Sequence, residues 1–239
     1  MLLPKLIAHR GASAHAPENT IAAFKQAKFM GAVMVEFDVA LTSDTIPVVL
    51  HDENIKRTSN GKGLVNTFTF EELQQFDAGR WFSKKFIGEQ IPSFQSVLEF
   101  LDAYDLSANV EIKPVGCTEA ETVAAVMSNI NQFWSEDNTP LLISSFNYKV
   151  LEMVRSFSPE QPIGLLMDKW DEDWQGKVDN LNCFSVHMNQ RHITQPRIDA
   201  LKESNVKIMS YTVNRLSKAK KLLAMGVDGV FSDYADLFH

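Results

Sequence analysis

Four short segments of the sequence hold the residue types that metal-assisted hydrolysis of a phosphodiester requires. Together they supply two histidines, one arginine, one lysine and three carboxylates, and a further carboxylate, Asp52, follows the second histidine. Each segment lies at or near the end of a predicted strand, and an α/β barrel would direct all four to one point. The segments are His9-Arg10-Gly11, Glu36-Phe37-Asp38, His51-Asp52 and Glu111-Ile112-Lys113.

Glu36 and Asp38 are two residues apart on a predicted strand, so their side chains point to the same face. Two acids inside a barrel would be strongly unfavourable unless they were paired or bound to a metal. Oxygen-only ligands suit Mg²⁺, Ca²⁺ or Mn²⁺ and not Zn²⁺. The pair therefore predicts a divalent-metal site, and the alternative is a solvated strand end.

Glu111 and Lys113 repeat this arrangement on a later strand, where Val110 and Ile112 would face outward. Glu111 is a candidate third carboxylate ligand. Lys113 is a candidate for holding a phosphate oxygen or for offsetting the acids. The alternative is a structural ion pair between the two side chains.

The two histidines also follow predicted strands. His9 and Arg10 would place an imidazole and a guanidinium at the mouth of a barrel. A guanidinium can donate bidentate hydrogen bonds to phosphate oxygens. His51 ends another strand, and Asp52 beside it could orient its ring. Because imidazole moves protons near neutral pH, two histidines provide an acid and a base for displacement at phosphorus.

Strands and helices alternate along almost the whole chain. Short apolar or β-branched runs predict strands at Leu6–His9, Val33–Leu41, Ile46–His51, Ala108–Lys113, Leu141–Ser145, Ile163–Met167, Phe184–Met188, Val206–Val213 and Gly229–Phe231. Apolar spacing and capping residues predict helices from Asn19 or Thr20 through Met30, and at Glu119–Phe133, Tyr148–Phe157, Gln195–Ser204 and Ser217–Met225.

If Val33–Leu41 and Ile46–His51 are one strand that continues into a hairpin, the count is eight strands. Eight strands with helical crossovers favour a closed (β/α)8 barrel, and an open doubly wound sheet is the alternative. No Gly-x-Gly-x-x-Gly follows the first strand, which counts against a dinucleotide fold. Residues 53 to about 92 do not fit the alternation of strands and helices. The segment is polar at its start and aromatic later, and we predict that it is an excursion after a strand end.

Length and charge limit the classes of function. A single barrel domain over residues 1–239 fits the length, although two small domains would also fit. The net charge of −7 argues against nucleic acid and anionic lipid as partners. No apolar stretch approaches the ~20 residues of a membrane span. The chain has two cysteines, which fits a reducing compartment better than a disulfide bond. The N-terminus is too short for a signal peptide, so a cytoplasmic location is expected.

The ordered motifs resemble those of the glycerophosphodiester phosphodiesterase family over essentially the whole chain. The N-terminal block is the most specific, and it contains His9-Arg10-Gly11, Pro17-Glu18-Asn19-Thr20, Ala22-Ala23-Phe24, Gly31-Ala32, Glu36-Phe37-Asp38-Val39, Leu41-Thr42 with Asp44, and Pro47-Val48-Val49 with His51-Asp52. Weaker motifs follow in the expected order at Ile91-Pro92-Ser93, Glu111-Ile112-Lys113, Ser144-Ser145-Phe146, Tyr211-Thr212-Val213-Asn214 and Gly226-Val227-Asp228-Gly229-Val230.

The resemblance implies a (β/α)8 barrel with a small insertion after the second barrel strand, at about residues 53–92. It implies that His9 and His51 are the acid and base and that Arg10 and Lys113 hold the phosphate. It further implies that Glu36, Asp38 and Glu111 bind a divalent metal ion. Tyr211 stands where the family commonly has Trp, so it is a candidate for the wall of the substrate pocket.

The expected reaction is metal-dependent hydrolysis of a glycerophosphodiester to glycerol 3-phosphate and an alcohol. Two alternatives remain on the sequence alone. A lysophospholipase D-like enzyme would use the same site on lipids, and it would need an exposed apolar rim such as the aromatic stretch Phe68–Phe86 could supply. A catalytically silent barrel would bind phosphorylated ligands without metal-dependent turnover. The alcohol, the metal in use and the oligomeric state are not specified by the sequence.

Overall fold

Eight parallel strands close into a barrel in a computed structural model of the protein, which describes residues 2–134 and 140–238. The strands lie at β1 Leu6–His9, β2 Met34–Leu41, β4 Ser107–Ile112, β5 Leu141–Ser145, β6 Ile163–Met167, β7 Ser185–Asn189, β8 Lys207–Tyr211 and β9 Gly229–Ser232. Neighbours pair in chain order, and β1 pairs with both β9 and β2, which closes the sheet. The structure confirms the predicted barrel and excludes the open sheet.

The remaining strand, β3 (Pro47–Val49), pairs antiparallel with the end of β2, with Val39 opposite Val49. The predicted hairpin is therefore confirmed, although β3 is shorter than the run Ile46–His51 suggested. Thr45 in its turn has a φ of +61°. That left-handed conformation is costly for a β-branched residue. The hydroxyl of Thr42 holds the turn by accepting from the backbone N–H of Ile46 at 2.9 Å.

Helices follow the strands and cover the outside of the barrel. They lie at α1 Ile21–Phe29, α2 Phe70–Leu73, α3 Phe94–Ala103, α4 Glu119–Phe133, α5 Tyr148–Phe157, α6 Trp174–Leu181, α7 Gln195–Glu203 and α8 Leu216–Met225. The five predicted helices are present, and Thr20 rather than Asn19 caps α1 by accepting from the N–H of Ala23. The sequence-based prediction missed the single turn α2 and also α3 and α6.

The missed helix α3 carried a readable signal. Its buried residues Phe94, Val97, Leu98 and Leu101 recur at helical spacing, and Ser93 caps it by accepting from the N–H of Ser96. The missed helix α6 has a weaker sequence signal, because it is short and contains a glycine.

Side chains that point outward from the barrel pack beneath the helices in one apolar core, in which Val35, Phe37, Val39, Val110 and Ile112 take part as predicted. Inside the barrel, a smaller apolar layer fills the space towards the amino ends of the strands. It consists of Ile7, Met34, Leu142, Met209 and Phe231. This layer supports the polar residues that lie towards the carboxyl ends of the same strands.

The insertion, residues 53–92, packs around a small apolar cluster of its own that continues from β3. Its buried members include Ile55, Val65 and Leu73. The segment begins and ends at the same place, because the N–H of Val49 donates to the carbonyl of Pro92 at 3.0 Å. It is therefore a folded excursion fixed beside the carboxyl end of β2.

Both cysteines, Cys117 and Cys183, are free thiols. Across residues 2–134 and 140–238, no helix combines the length and apolar character that crossing a bilayer would need.

Candidate active site

The turn after β1 brings two consecutive side chains to one site. Successive residues of a strand point to opposite faces, but Arg10 has a φ of +54°, which turns its side chain to the same side as that of His9. Gly11 follows with a φ of +77°, and a Cβ there would lie 2.7 Å from the carbonyl carbon of Ala23. The backbone therefore requires glycine at position 11 of the His-Arg-Gly segment.

Three carboxylates meet inside the carboxyl end of the barrel. Glu36, Asp38 and Glu111 each offer an oxygen within 4.8 Å of the other two. Glu36 and Asp38 are buried, and 12% of the Glu111 side chain is exposed. The strand register explains the meeting, because Asp38 on β2 lies opposite Glu111 on β4. The predicted inward direction of these acids is confirmed.

Crowding prevents these acids from all being ionised together. Burial, with repulsion from Asp38 and Glu111, holds the pKa of Glu36 well above its usual range. Burial and the charge of Asp38 raise the pKa of Glu111 to about 8. Burial acts to raise the pKa of Asp38 as well, but Arg10 and Lys113 outweigh it and lower that pKa to about 2.

Two cations stand beside the acids without neutralising all three. Arg10 Nε lies 3.4 Å from Asp38 Oδ2, and Lys113 Nζ lies 3.4 Å from Asp38 Oδ1 and 3.8 Å from Glu111 Oε1. Asn19 donates to Asp38 Oδ2 at 2.9 Å. The remaining charge and the oxygen-only donor set fit a hard divalent cation such as Mg²⁺ or Ca²⁺.

Each of the two histidines is held by a carboxylate. His9 Nδ1 lies 2.6 Å from Asp233 Oδ1, and His51 Nδ1 lies 2.5 Å from Asp52 Oδ1. Asp52 thus lies where it could orient the ring of His51, as the sequence suggested. In both pairs, Nδ1 donates to the carboxylate, so Nε2 is left for other partners. His9 Nε2 lies 3.9 Å from Glu36 Oε2, beside the acidic trio. Burial and the nearby cations lower the pKa of His51.

An outer layer of charged residues ties these groups together. Arg57, in the insertion, contacts Asp52 Oδ2 at 2.6 Å and Glu18 Oε2 at 2.7 Å. Glu18 in turn contacts Arg10 at 2.7 Å. On the opposite side, Asn214 accepts from the backbone N–H of Asp233 at 3.0 Å.

Glu18, Arg57 and Asp233 were not among the predicted site residues. Glu18 was visible only as part of a motif, and no local signal marks Arg57 or Asp233.

A cavity of about 210 Å³ opens between these groups and the far wall of the barrel. Its charged or titratable lining consists of His9, Arg10, Glu36, His51 and Glu111. The rest of the lining is apolar or neutral, and it consists of Asn109, Ser144, Phe146, Leu166, His187, Tyr211, Thr212 and Phe231.

Tyr211 stands in the pocket wall, as expected, with its ring edge-on to Phe146 at 6.0 Å between centroids. Its buried hydroxyl has no hydrogen-bond partner in the part of the chain that the structure describes. All eight predicted site residues are therefore brought to one place.

A parallel barrel with charged side chains gathered at the carboxyl ends of its strands is the arrangement of TIM-barrel enzymes. Residues 9–237 match the model of the glycerophosphoryl diester phosphodiesterase family. The chain belongs to this family and is a phosphoric diester hydrolase.

Individual relatives agree with the family match. The chain is 38% identical to the glycerophosphodiester phosphodiesterase of Caldanaerobacter subterraneus subsp. tengcongensis, over 95% of this chain and 93% of that protein. It resembles the solved structure of an Oleispira antarctica phosphodiesterase in complex with the product sn-glycerol-3-phosphate. That match has a TM-score of 0.95 and 38% identity, over 98% of this chain and 94% of the other.

The glycerophosphodiester phosphodiesterase of Agrobacterium tumefaciens is similar with a TM-score of 0.82 and 27% identity, over 99% of both chains.

Proposed function

We propose that the protein hydrolyses glycerophosphodiesters to glycerol 3-phosphate and an alcohol in a reaction that depends on a divalent metal ion. The main support is the acidic trio, whose oxygens lie within 4.8 Å of one another between two histidines that are each held by a carboxylate. The similar Oleispira antarctica enzyme, solved with sn-glycerol-3-phosphate, supports this product.

Glu36, Asp38 and Glu111 would hold the metal ion, with Mg²⁺ or Ca²⁺ expected and Mn²⁺ as a further candidate. When bound, such an ion neutralises charge on a phosphate oxygen and lowers the pKa of a neighbouring hydroxyl. The raised pKa values of Glu36 and Glu111 favour this assignment, because a bound cation would let both acids ionise.

His9 and His51 would transfer the protons. One Nε2 removes the proton from the attacking oxygen, which is the neighbouring glycerol hydroxyl or a water, and the other Nε2 protonates the departing alcohol oxygen. Asp233 and Asp52 hold the rings in the tautomer that leaves Nε2 free.

Arg10 and Lys113 would bind the phosphate oxygens. Arg10 suits this role because Glu18 fixes its guanidinium, and the left-handed turn aims it at the cavity. Lys113 lies between Asp38 and Glu111, so its ammonium also limits repulsion between these acids when no cation is bound.

The two arms of a diester have separate places to lie. A second depression shares His9 and Arg10 with the barrel cavity, and it is otherwise lined by loop residues such as Ser13, Asn214 and Tyr234. The enclosed barrel cavity suits the constant glycerol arm. The outer depression suits an alcohol that varies between substrates.

Chelation tests the metal dependence. We expect glycerol 3-phosphate release to stop in excess chelator and to return when Mg²⁺, Ca²⁺ or Mn²⁺ is restored. Glu36→Gln should remove the metal-dependent activity, whereas Glu203→Gln, at an exposed position on α7, should not. Full turnover in excess chelator, or an active Glu36→Gln enzyme, would show that the acidic trio is not a catalytic metal site.

The lysophospholipase D-like alternative is supported by the surface of the insertion. Trp81 and Ile87 are 41% and 56% exposed beside Lys84 and Lys85, which together form a small apolar and basic patch. Rates on water-soluble glycerophosphodiesters and on lysolipid micelles distinguish the two functions. A faster rate on micelles would favour the lipid substrate.

We also propose that the chain forms one domain located in the cytoplasm. The support is that the barrel strands span most of the chain and that both cysteines are free thiols, as expected in a reducing compartment.

A further inference from the structure

A histidine that the mechanism does not use lies inside the barrel. His187 on β7 is fully buried, and its Nε2 is 2.9 Å from Ser185 Oγ. Its ring lies against Phe231, with 4.9 Å between centroids. Gly164 on the adjacent strand makes room for it, because a Cβ there would come within 2.7 Å of Nε2. The sequence around β6 and β7 is therefore adapted to hold an imidazole at this position.

Two buried polar atoms on residues that line the barrel cavity lack partners in the described residues. His187 Nδ1 is one, and the other is Asn109 Oδ1 on β4, whose Nδ2 donates to Ser144 Oγ at 2.9 Å. Both residues line the barrel cavity. Buried polar atoms are nearly always hydrogen-bonded, because leaving one unpaired is unfavourable. A ligand hydroxyl that reached these two buried atoms would therefore supply the missing hydrogen bonds.

Both residues lie below the carboxyl ends of their strands. Asn109 comes two residues before the metal-ligand candidate Glu111 on β4, and His187 comes two residues before Asn189, the last residue of β7. Two residues along a strand correspond to about 6–7 Å. A three-carbon chain attached to a phosphate at the level of the carboxylates would extend to this depth.

The uncharged groups of His187 and Asn109 suit a hydroxyl and not an anion. Burial lowers the pKa of His187 to about 3, so its ring is neutral at physiological pH. A neutral imidazole nitrogen can donate or accept according to its tautomer, and Asn109 Oδ1 only accepts. A hydroxyl, which both donates and accepts, can satisfy the two atoms together.

We propose that His187 Nδ1 and Asn109 Oδ1 bind the terminal hydroxyl of the glycerol arm. This hydroxyl subsite would make the enzyme select esters of glycerol over esters of simple alcohols that reach the same catalytic groups. The inference rests on the proposed function for the identity of the substrate, and on the unpaired buried atoms for the position of the subsite.

Two substitutions of His187 separate the two ring nitrogens. In His187→Asn, the amide group lies near the position of Nδ1, the ring nitrogen that lacks a partner in the described residues. In His187→Gln, it extends to the position of Nε2, which contacts Ser185. Both variants remove the ring, so they serve as matched controls for any loss of packing.

Affinity for two phosphate esters in the presence of Mg²⁺ is the measurement. The ligands are glycerol 3-phosphate and 2-hydroxypropyl phosphate, which lacks only the terminal hydroxyl. We expect the unmodified protein to prefer glycerol 3-phosphate about tenfold or more by calorimetry, as for one buried hydrogen-bonded hydroxyl. His187→Asn should keep most of this preference, and His187→Gln should lose it.

Equal loss of affinity for both ligands in both variants would overturn the subsite, because it would show that His187 only supports the fold. So would equal affinity of the unmodified protein for the two ligands. If the protein prefers glycerol 3-phosphate but releases none from any diester, the hydrolase proposal fails and the subsite stands. If it hydrolyses glycerophosphodiesters without this preference, the subsite fails and the hydrolase proposal stands.

Discussion

The two halves of the barrel contribute different chemistry to the same cavity. From β1 to β4, the cavity wall carries the charged groups, which include the acidic trio, Arg10 and both histidines of the proposed mechanism. From β5 to β9, the described cavity wall is neutral, with Phe146, Leu166 and Tyr211 among its members. The second half contacts the catalytic groups chiefly through Asp233, whose carboxylate accepts a hydrogen bond from His9 Nδ1.

This difference indicates a division of labour within one fold. Bond cleavage at phosphorus needs fixed charges and proton carriers, and these are gathered on one side. Recognition of an uncharged glycerol arm needs shape and a few neutral hydrogen-bonding atoms, and most of these lie on the other side, with Asn109 of β4 as the exception. Mutations on the charged side should therefore lower turnover of every substrate, whereas mutations on the neutral side should change the preference among substrates.

The largest expected effect tests the charged half. His9→Ala and His51→Ala should each lower kcat by roughly 10²–10⁴-fold, as for a lost general acid or base. The double variant should fall far short of the product of the two effects, because residues that act as a unit are not additive. Steady-state rates with a good and a poor leaving group are the measurement.

His192→Ala, in the loop after β7, is the matched control and should turn over normally. Near-normal kcat of either site variant with both leaving groups would remove that histidine from the mechanism.

An intermediate effect is expected at the wall of the neutral half. Tyr211→Trp enlarges the ring beside Phe146 and removes a hydroxyl that has no partner in the described chain. We expect kcat/KM for glycerophosphodiesters, relative to phosphodiesters in which a simpler alcohol replaces glycerol, to shift by about 1–3 kcal/mol, as for one altered pocket contact. Metal affinity should not change. Unchanged substrate ratios together with a lower melting temperature would show that Tyr211 serves only packing.

The last expected effect concerns stability and not turnover, and it involves the buried ring of His187. Its pKa is lowered from 6.5 to about 3, so below pH 6.5 the unfolded chain binds a proton that the folded protein does not. Stability should therefore decrease as pH falls from 6.5 towards 3, by at most about 1.4 kcal/mol per pH unit from this group.

Urea unfolding of the unmodified protein and of His187→Asn between pH 4 and 7 provides the measurement. The stability difference between them should become less favourable to the unmodified protein as pH falls. Parallel curves would mean that the ring is not buried in its neutral form.

The charged half could be predicted from the sequence because its signals are local. Glu36 and Asp38 alternate with apolar residues on one strand, and the same pattern recurs at Glu111 and Lys113. Strand-helix alternation also predicted the closed barrel, because eight strands with helical crossovers have few other solutions.

The site residues that the sequence did not predict depend on contacts that form only in the folded barrel. Asp233 meets His9 across 224 residues of sequence, and Arg57 meets Glu18 across 39. The position of His187 depends on space left by Gly164 of the neighbouring strand, which no single-strand pattern reveals. Long-range pairs of this kind carry no periodic signal, so they could be found only from the structure.

The meeting of the two ends of the insertion has a consequence for how this enzyme could diversify. The chain leaves the barrel after Val49 and returns at Pro92, where the two backbones are hydrogen-bonded. A segment whose ends coincide can be lengthened, shortened or exchanged without moving the strands on either side. Its contact with the site is made near its start, where Arg57 binds Asp52 and Glu18, the carboxylates that hold His51 and Arg10. Evolution, or an engineer, could therefore vary the remainder to suit new surroundings while the barrel and its chemistry are inherited unchanged.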